Sequence, residues 1–187
     1  MLKQYCGYVS IIGKPNVGKS TIINTILKKK ISITSRKSQT TRNNILGVKT
    51  SKNKQIIFVD TPGMHIKSQK TMNKILNKSA QGIIDDSDII LFVIQRLDLD
   101  SEDKLILEKL NGINPKTICV INKVDQIQDK NKLLPFIEMI SDKYKFEEIH
   151  MISAKNNDGI DNLLSTIEAQ LPENNHLFDK NFNLQDK

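Results

Sequence analysis

Gly13-Lys14-Pro15-Asn16-Val17-Gly18-Lys19-Ser20 is the stretch on which the reading of this sequence turns. It follows an apolar run, Tyr8–Ile12 (YVSII), with the character of a buried strand, and opens an amphipathic run, Lys19–Leu27, with helical spacing. Its form is G-x-x-x-x-G-K-S, and each residue type is there for a reason. Gly13 and Gly18 let the backbone curl so that successive N–H groups point inward and cradle phosphates. That makes Gly13, Lys14, Pro15, Asn16, Val17, Gly18, Lys19, Ser20 and Thr21 the candidate phosphate-binding residues. The Lys19 ammonium reaches the terminal phosphates and the Ser20 hydroxyl offers a ligand to Mg²⁺. The helix that starts here adds its positive dipole end.

Outward from this stretch, short apolar runs alternate with longer amphipathic ones. Val48–Thr50 and Gln55–Asp60 read as two strands of a hairpin, and Asp88–Ile94, Lys116–Asn122 and Glu148–Ser153 as three further strands. Thr71–Ile84, Glu102–Leu110, Lys132–Asp142 and Ile160–Leu171 have helical spacing. Strands that are apolar along their whole length and separated by helices predict an α/β fold. The expected architecture is a mostly parallel six-stranded sheet with one antiparallel edge strand and helices on both faces. Ligands of such sheets bind outside the carboxyl ends of the strands. One domain over residues 1–172 is expected, followed by a polar, unperiodic linker or tail over 173–187.

The bulk numbers narrow the function classes. At 187 residues, 38% hydrophobic and 26% charged, the chain is long enough for one sizeable core. The net charge of +7 is an average of two unlike halves. Residues 1–84 carry 16 basic side chains against the single acid Asp60, whereas 85–187 carry 12 against 20. Such a basic half suggests a polyanionic partner. Cys6 and Cys119 each lie in an apolar run and read as free buried thiols of a reduced compartment. No run approaches the length of a membrane span and no signal peptide is visible, so a cytoplasmic location is expected.

Three more motifs stand at strand ends and choose between nucleotides. Asp60-Thr61-Pro62-Gly63 closes the hairpin, placing a carboxylate where it can hold Mg²⁺ and the Gly63 N–H near a γ-phosphate. Asn122-Lys123-Val124-Asp125 follows the strand KTICVIN, and Asp125 can accept from guanine N1–H and N2–H, a donor pair adenine lacks. Ser153-Ala154-Lys155 ends the last strand, where the Ala154 N–H can meet guanine O6. Each short motif is weak in a chain rich in Asn and Lys; their order at successive strand ends is the specific signal.

These motifs resemble those of the translation-factor-like small GTPases. The stretch Ile31–Gly47 (ISITSRKSQTTRNNILG), together with DTPGMH at Asp60–His65, resembles the Era family of bacterial ribosome-assembly GTPases, over about residues 5 to 178. The resemblance implies a P-loop NTPase fold, a Ras-like G domain that binds GTP or GDP with Mg²⁺ and hydrolyses GTP slowly. It implies that Thr41, with Thr40 as fallback, completes a Mg²⁺ set with Ser20 and Asp60, and that Lys19, Thr41, Gly63 and Asn16 are the catalytic group. Asn16 looks like the residue that holds K⁺ in related GTPases, and Lys14 and Asn16 are nearest to where a missing catalytic contribution is supplied. The implied partners are the guanine nucleotide, the small ribosomal subunit with its rRNA and, peripherally, the membrane surface, with the domain a monomer.

Two departures from the family pattern stand out. Met64 occupies the position after the D-x-x-G glycine where Ras-like enzymes carry a water-orienting glutamine, and a thioether cannot align water by hydrogen bonding. No G-x-x-G clamp of a KH domain follows the last helix, so the chain reads as one domain of a longer design whose KH domain makes the main rRNA contact. The rival readings are a sister-family tRNA-modification or ribosome-assembly GTPase, an RNA-binding module with incidental hydrolysis, and an ATPase. Lys28, Lys29 and Lys30 read as a solvated helix end, while Arg36, Lys37 and Arg42 divide evenly between phosphate or RNA contact and solubility. His65 reads as surface, and Asp85, Asp86 and Asp88 as a turn at the amino end of a strand.

Overall fold

The computed structural model describes residues 3–28, 44–60, 87–95, 97–111 and 114–179. In chain order the elements are β1 (Tyr5–Ile12), α1 (Lys19–Lys28), β2 (Asn44–Ser51), β3 (Lys54–Asp60), β4 (Ile89–Ile94), α2 (Ser101–Leu110), β5 (Lys116–Ile121), α3 (Leu133–Lys143), β6 (Glu148–Met151) and α4 (Ile160–Gln170). The strands form one sheet in the order β2-β3-β1-β4-β5-β6. Every neighbouring pair is parallel except β2 with β3, so the hairpin supplies the antiparallel edge strand. The expected helix over Thr71–Ile84 lies outside the described residues.

The apolar runs explain the layering. All six residues of β4 are buried, because a central strand covered on both faces has no polar side. Val9, Ile11, Phe58 and Leu91 point to one face and pack under α1 and α4 through Ile22, Ile26, Leu163 and Ile167. Ile12, Phe92 and Cys119 point to the other and pack under α2 and α3 through Ile106, Leu107, Phe136 and Ile140. Each fully buried side chain of this kind contributes about 1.5–3 kcal/mol. Cys6 and Cys119 are both free and buried, and burial pushes the Cys119 thiol up to about 12.

The sheet positions the site through its order. After β1 the chain builds β3 on one side and β4 on the other, which makes the carboxyl end of β1 the switch point where α/β sheets bind ligands. Gly13 follows directly. Strands β1 and β2 begin earlier than the alternation predicts, at Tyr5 and Asn44 rather than Tyr8 and Val48. The β1–β3 ladder extends back to Tyr5↔Lys54, and an irregularity between Ile45 and Gly47 breaks the period that would have revealed the start of β2.

Residues 173–178, the first part of the stretch read as a linker or tail, are docked on the sheet. Pro172 O accepts from the Cys6 N–H (3.1 Å), and Glu173 forms a bridge with Tyr5 and an ion pair with Lys3 (2.8 Å). The fully buried Gln55 of β3 then holds the segment's backbone. Its Oε1 accepts from the N–H groups of Leu177 (2.9 Å) and Phe178 (3.0 Å), and its Nε2 donates to Phe178 O (2.8 Å). Phe178 packs on Cys6, Val48, Ile57 and Val59. An apolar residue at position 55 leaves those backbone groups without partners, at about 1–3 kcal/mol for each one that stays buried. Gln55→Leu is therefore expected to lower the urea midpoint clearly, and ending the chain at Pro172 rather than Asp179 to do the same; unchanged midpoints in both would show that the strap contributes nothing.

Candidate functional site

The loop after β1 is built by backbone conformations that few side chains allow. Gly13 has φ +147° and Gly18 φ +101°, both in the left-handed region. A Cβ at Gly13 would stand 2.2 Å from Val93 O, and one at Gly18 2.2 Å from Asn122 Nδ2, so both glycines are also close-approach sites. Asn16, exposed at the tip, takes φ 66°, a conformation asparagine tolerates better than most residues. Lys19 folds its ammonium back into the arch and donates to Gly13 O (2.7 Å) and Lys14 O (2.6 Å), which centres a positive charge in the ring. Helix α1 starts at Lys19 with no acid in its first turn, and Ser20 and Thr21 are exposed there, so its dipole faces the same point.

Asn122 joins this loop to the far strands. Almost fully buried, it donates Nδ2–H to Val17 O (2.8 Å) and its backbone N–H to Ile94 O (2.7 Å), and accepts at Oδ1 from the Ala154 N–H (3.1 Å). The sequence reading aims that Ala154 N–H at guanine O6; the structure gives it to Asn122, because a buried amide oxygen requires a donor. Thr25 of α1 donates to Ala154 O (3.2 Å), and Val124 N–H to Ile152 O (3.2 Å). Lys123 adopts φ 62° and donates to Asn16 O (2.7 Å). Asp125 and Lys155 are exposed at the rim. The motifs at the ends of β1, β5 and β6 are thus one hydrogen-bonded unit.

Lys14 reaches toward α2. Its ammonium pairs with Asp100, the N-cap of α2, and with Asp103 (2.7 Å), which is buried. Burial works against the Lys14 charge, yet the two carboxylates outweigh it and hold the ammonium above its ordinary range. Burial leaves the Asp103 carboxyl above the usual carboxylate range despite Lys14. This ion pair fastens the first half of the loop to α2, so Lys14 acts as an anchor of the loop. Asp88 behaves as the turn residue expected of it, accepting from Tyr8 N–H (2.8 Å).

Asp60 closes β3, paired in the ladder with Asn44 and one residue beyond the Ser10↔Val59 pair that sets β3 beside β1. Thr61, Pro62, Gly63, Met64, His65, Thr40, Thr41, Lys29, Lys30, Arg36, Lys37, Arg42, Asp85 and Asp86 lie outside the described residues. Among the described residues no group of three His, Cys, Asp or Glu could hold a metal by itself, and no helix is long and apolar enough to cross a membrane.

Comparison with known proteins places this fold among GTPases. A family model described as a 50S ribosome-binding GTPase matches residues 8–123. GTPase Era of Coxiella burnetii (strain RSA 331 / Henzerling II) is 47% identical over 178 residues, 95% of this chain. The chain belongs to the Era family of GTPases. It spans about 60% of the length of the curated Era proteins it matches. An Era structure determined with MgGDPNP and a segment of 16S ribosomal RNA superposes with TM-score 0.77 at 38% identity, covering 96% of this chain and 61% of that one. An Aquifex aeolicus Era variant bound to GDP·AlF4⁻ gives the same figures. Within this Era-family fold Asn122 is the shared fastening. Asn122→Ala orphans Val17 O and Ala154 N–H, each at about 1–3 kcal/mol if it stays buried, and the expected result is a lower urea midpoint together with faster nucleotide loss. Unchanged values of both would remove Asn122 from that role.

Proposed function

We propose that this domain binds GTP with Mg²⁺, hydrolyses it slowly and uses the nucleotide state as a switch in assembly of the small ribosomal subunit. The observation that carries the reading is the fastening of the phosphate loop to both guanine motifs through Asn122, which lets one ligand with a phosphate end and a guanine end span a single rigid site. Phosphates take the ring of N–H groups around Lys19, the α1 dipole and the Lys19 charge. Asp125 accepts from the guanine N1–H and N2–H, and a guanine O6 reaching Ala154 shares that N–H with Asn122.

Ser20, exposed at the first turn of α1, and Asp60, at the end of a strand adjoining β1, fit a hard oxygen-seeking cation, with Thr41 as the third ligand. When bound, Mg²⁺ neutralises charge developing between the β- and γ-phosphates. Gly63 donates its N–H toward the γ-phosphate. Asn16, exposed beside the ring, is the proposed K⁺ ligand, a substitute for the glutamine that Met64 replaces. The domain is taken to be a cytoplasmic monomer, with any membrane contact peripheral, and residues 173–187 to be a linker or tail toward a KH domain.

Asp125→Asn tests the guanine reading. The amide offers a donor where xanthine has a carbonyl, so GTP affinity is expected to fall by about tenfold or more and xanthosine triphosphate to bind in its place. Unaltered GTP affinity, or ATP bound more tightly than GTP by the wild-type chain, would overturn it.

The ribosomal reading rests on the basic first half, part of which the fold neutralises internally: Lys3 pairs with Glu173, Lys14 with Asp100 and Asp103, and Lys54 with Glu168. The remaining positive charge is assigned to ribosomal RNA. Affinity of the chain for small ribosomal subunits is therefore expected to fall steeply with added salt, and a salt-independent affinity would contradict that assignment.

A further inference from the structure

We infer that Gln95, which belongs to none of the nucleotide motifs, is a positioning residue for guanine recognition through Lys123. The inference rests on the guanine-site reading above and adds to it the group that sets the loop carrying Asp125.

Register brings the two residues together. Strand β4 ends at Ile94, paired with Ile121 at the end of β5, and the Asn122 N–H continues the ladder onto Ile94 O (2.7 Å). The chain then leaves β4 through Gln95 and leaves β5 through Asn122 into Lys123. Lys123 turns left-handed, φ 62°, so its side chain passes over the end of β4. There its ammonium donates to Gln95 Oε1 at 2.5 Å and to Asn16 O at 2.7 Å. One cation thereby bridges three strand ends: the loop after β1, the end of β4 and the start of the guanine loop.

The geometry makes Gln95 matter more than a surface amide does. A left-handed lysine has lost the steric preference of an L-residue, at a cost of roughly 1 kcal/mol, and two acceptors on its ammonium offset that cost. Lys123 caps the short turn Val124–Gln126, in which Asp125 lies two residues on. With one acceptor gone, the long flexible stem is held only by Asn16 O, and the turn that aims Asp125 loosens. A polar cavity of about 230 Å³ adjoins Gln95, lined by it with Lys14, Pro15, Asp98 and Asp100 among others, with room for a water that would replace a lost acceptor without fixing its direction. A neutral amide supplies direction here without adding a further negative charge to a rim that already holds Asp98, Asp100, Glu102 and Asp103.

Gln95→Met keeps the length of the side chain and removes the strong acceptor; Gln95→Glu keeps an acceptor. In the full 187-residue chain, GDP dissociation from Q95M is expected to be about tenfold faster than from wild type, the size of one hydrogen bond to a charged group. GTP hydrolysis per bound nucleotide is expected to stay unchanged, and Q95E to return dissociation to within about twofold of wild type. A merely structural role would lower the thermal midpoint of Q95M together with any change in release, so equal midpoints with faster release support positioning, and a lowered midpoint accompanying faster release counts against it. Asp125→Asn is measured in parallel. If D125N moves preference to xanthosine triphosphate while Q95M releases GDP at the wild-type rate, or if Q95E fails to restore it, this inference falls and the guanine reading stands. If D125N leaves the preference unmoved, both fall.

Discussion

The buried side chain of Asn122 is the constraint on which the site depends. A parallel sheet delivers its strand ends to one edge but leaves the loops there free to move independently, because each loop is connected only to its own strand and helix. Asn122 removes that freedom with one amide and one backbone N–H, held to Val17 O, Ala154 N–H and Ile94 O. All three partners are backbone groups, so the arrangement is indifferent to which side chains occupy the loops and strict about where their peptides lie. The absent Cβ of Gly18 is part of the same constraint, since any side chain there would occupy the space of the Asn122 amide. An aspartate at 122 could accept from Ala154 but could not donate to Val17, and an apolar residue could do neither.

Electrostatics complete what this fastening begins. The Lys19 ammonium sits among carbonyl oxygens of its own loop, at the start of a helix with no acid in its first turn, so its charge is poised for phosphate. The second lysine of the loop, Lys14, is neutralised by Asp100 and Asp103 and anchors the loop to α2. Two lysines five residues apart thus do opposite things, and the difference lies in which residues of a distant helix approach them. The +15 of the first 84 residues is accordingly not all available to a ligand: Lys3, Lys14 and Lys54 are paired with acids of the second half.

The sequence made legible whatever is carried by local pattern. Runs such as IILFVI at Ile89–Ile94 mark central strands because burial on both faces leaves no polar position, and the glycine spacing of the phosphate loop is set by left-handed backbone within eight residues. What stayed hidden is non-local. Gln55 looks like a strand residue of ordinary polarity, and only the fold brings Leu177 and Phe178 to its amide. Gln95 meets Lys123 across 28 residues, and Lys14 meets Asp100 across 86. The docked segment after Pro172 has no period to read because backbone bonds to one side chain, rather than an apolar stripe, hold it. The start of β2 was obscured by the irregularity between Ile45 and Gly47.

The distribution of backbone strain ties the core to the site. Among the described residues, Gly13, Asn16, Gly18, Lys123, Asn157 and Gly159 have positive φ within the three loops at the strand ends, and Lys52 has it in the hairpin turn. For Asn16, Lys123 and Asn157 this conformation costs of order 1 kcal/mol each, and it persists only where the surroundings over-determine it. For Asn16 and Lys123 the surroundings are the packed strands β1, β4 and β5, whose ends cannot shift without opening layers in which nearly every side chain is buried. Softening that core, for example by shortening Phe92 or Ile121, would relax the loops before the sheet itself separates, because the strained residues have the most to gain from a small displacement. The nucleotide binding proposed for this site and the stability of the central strands therefore draw on the same packing, and the apolar runs that first marked the strands also hold the site's loops in shape.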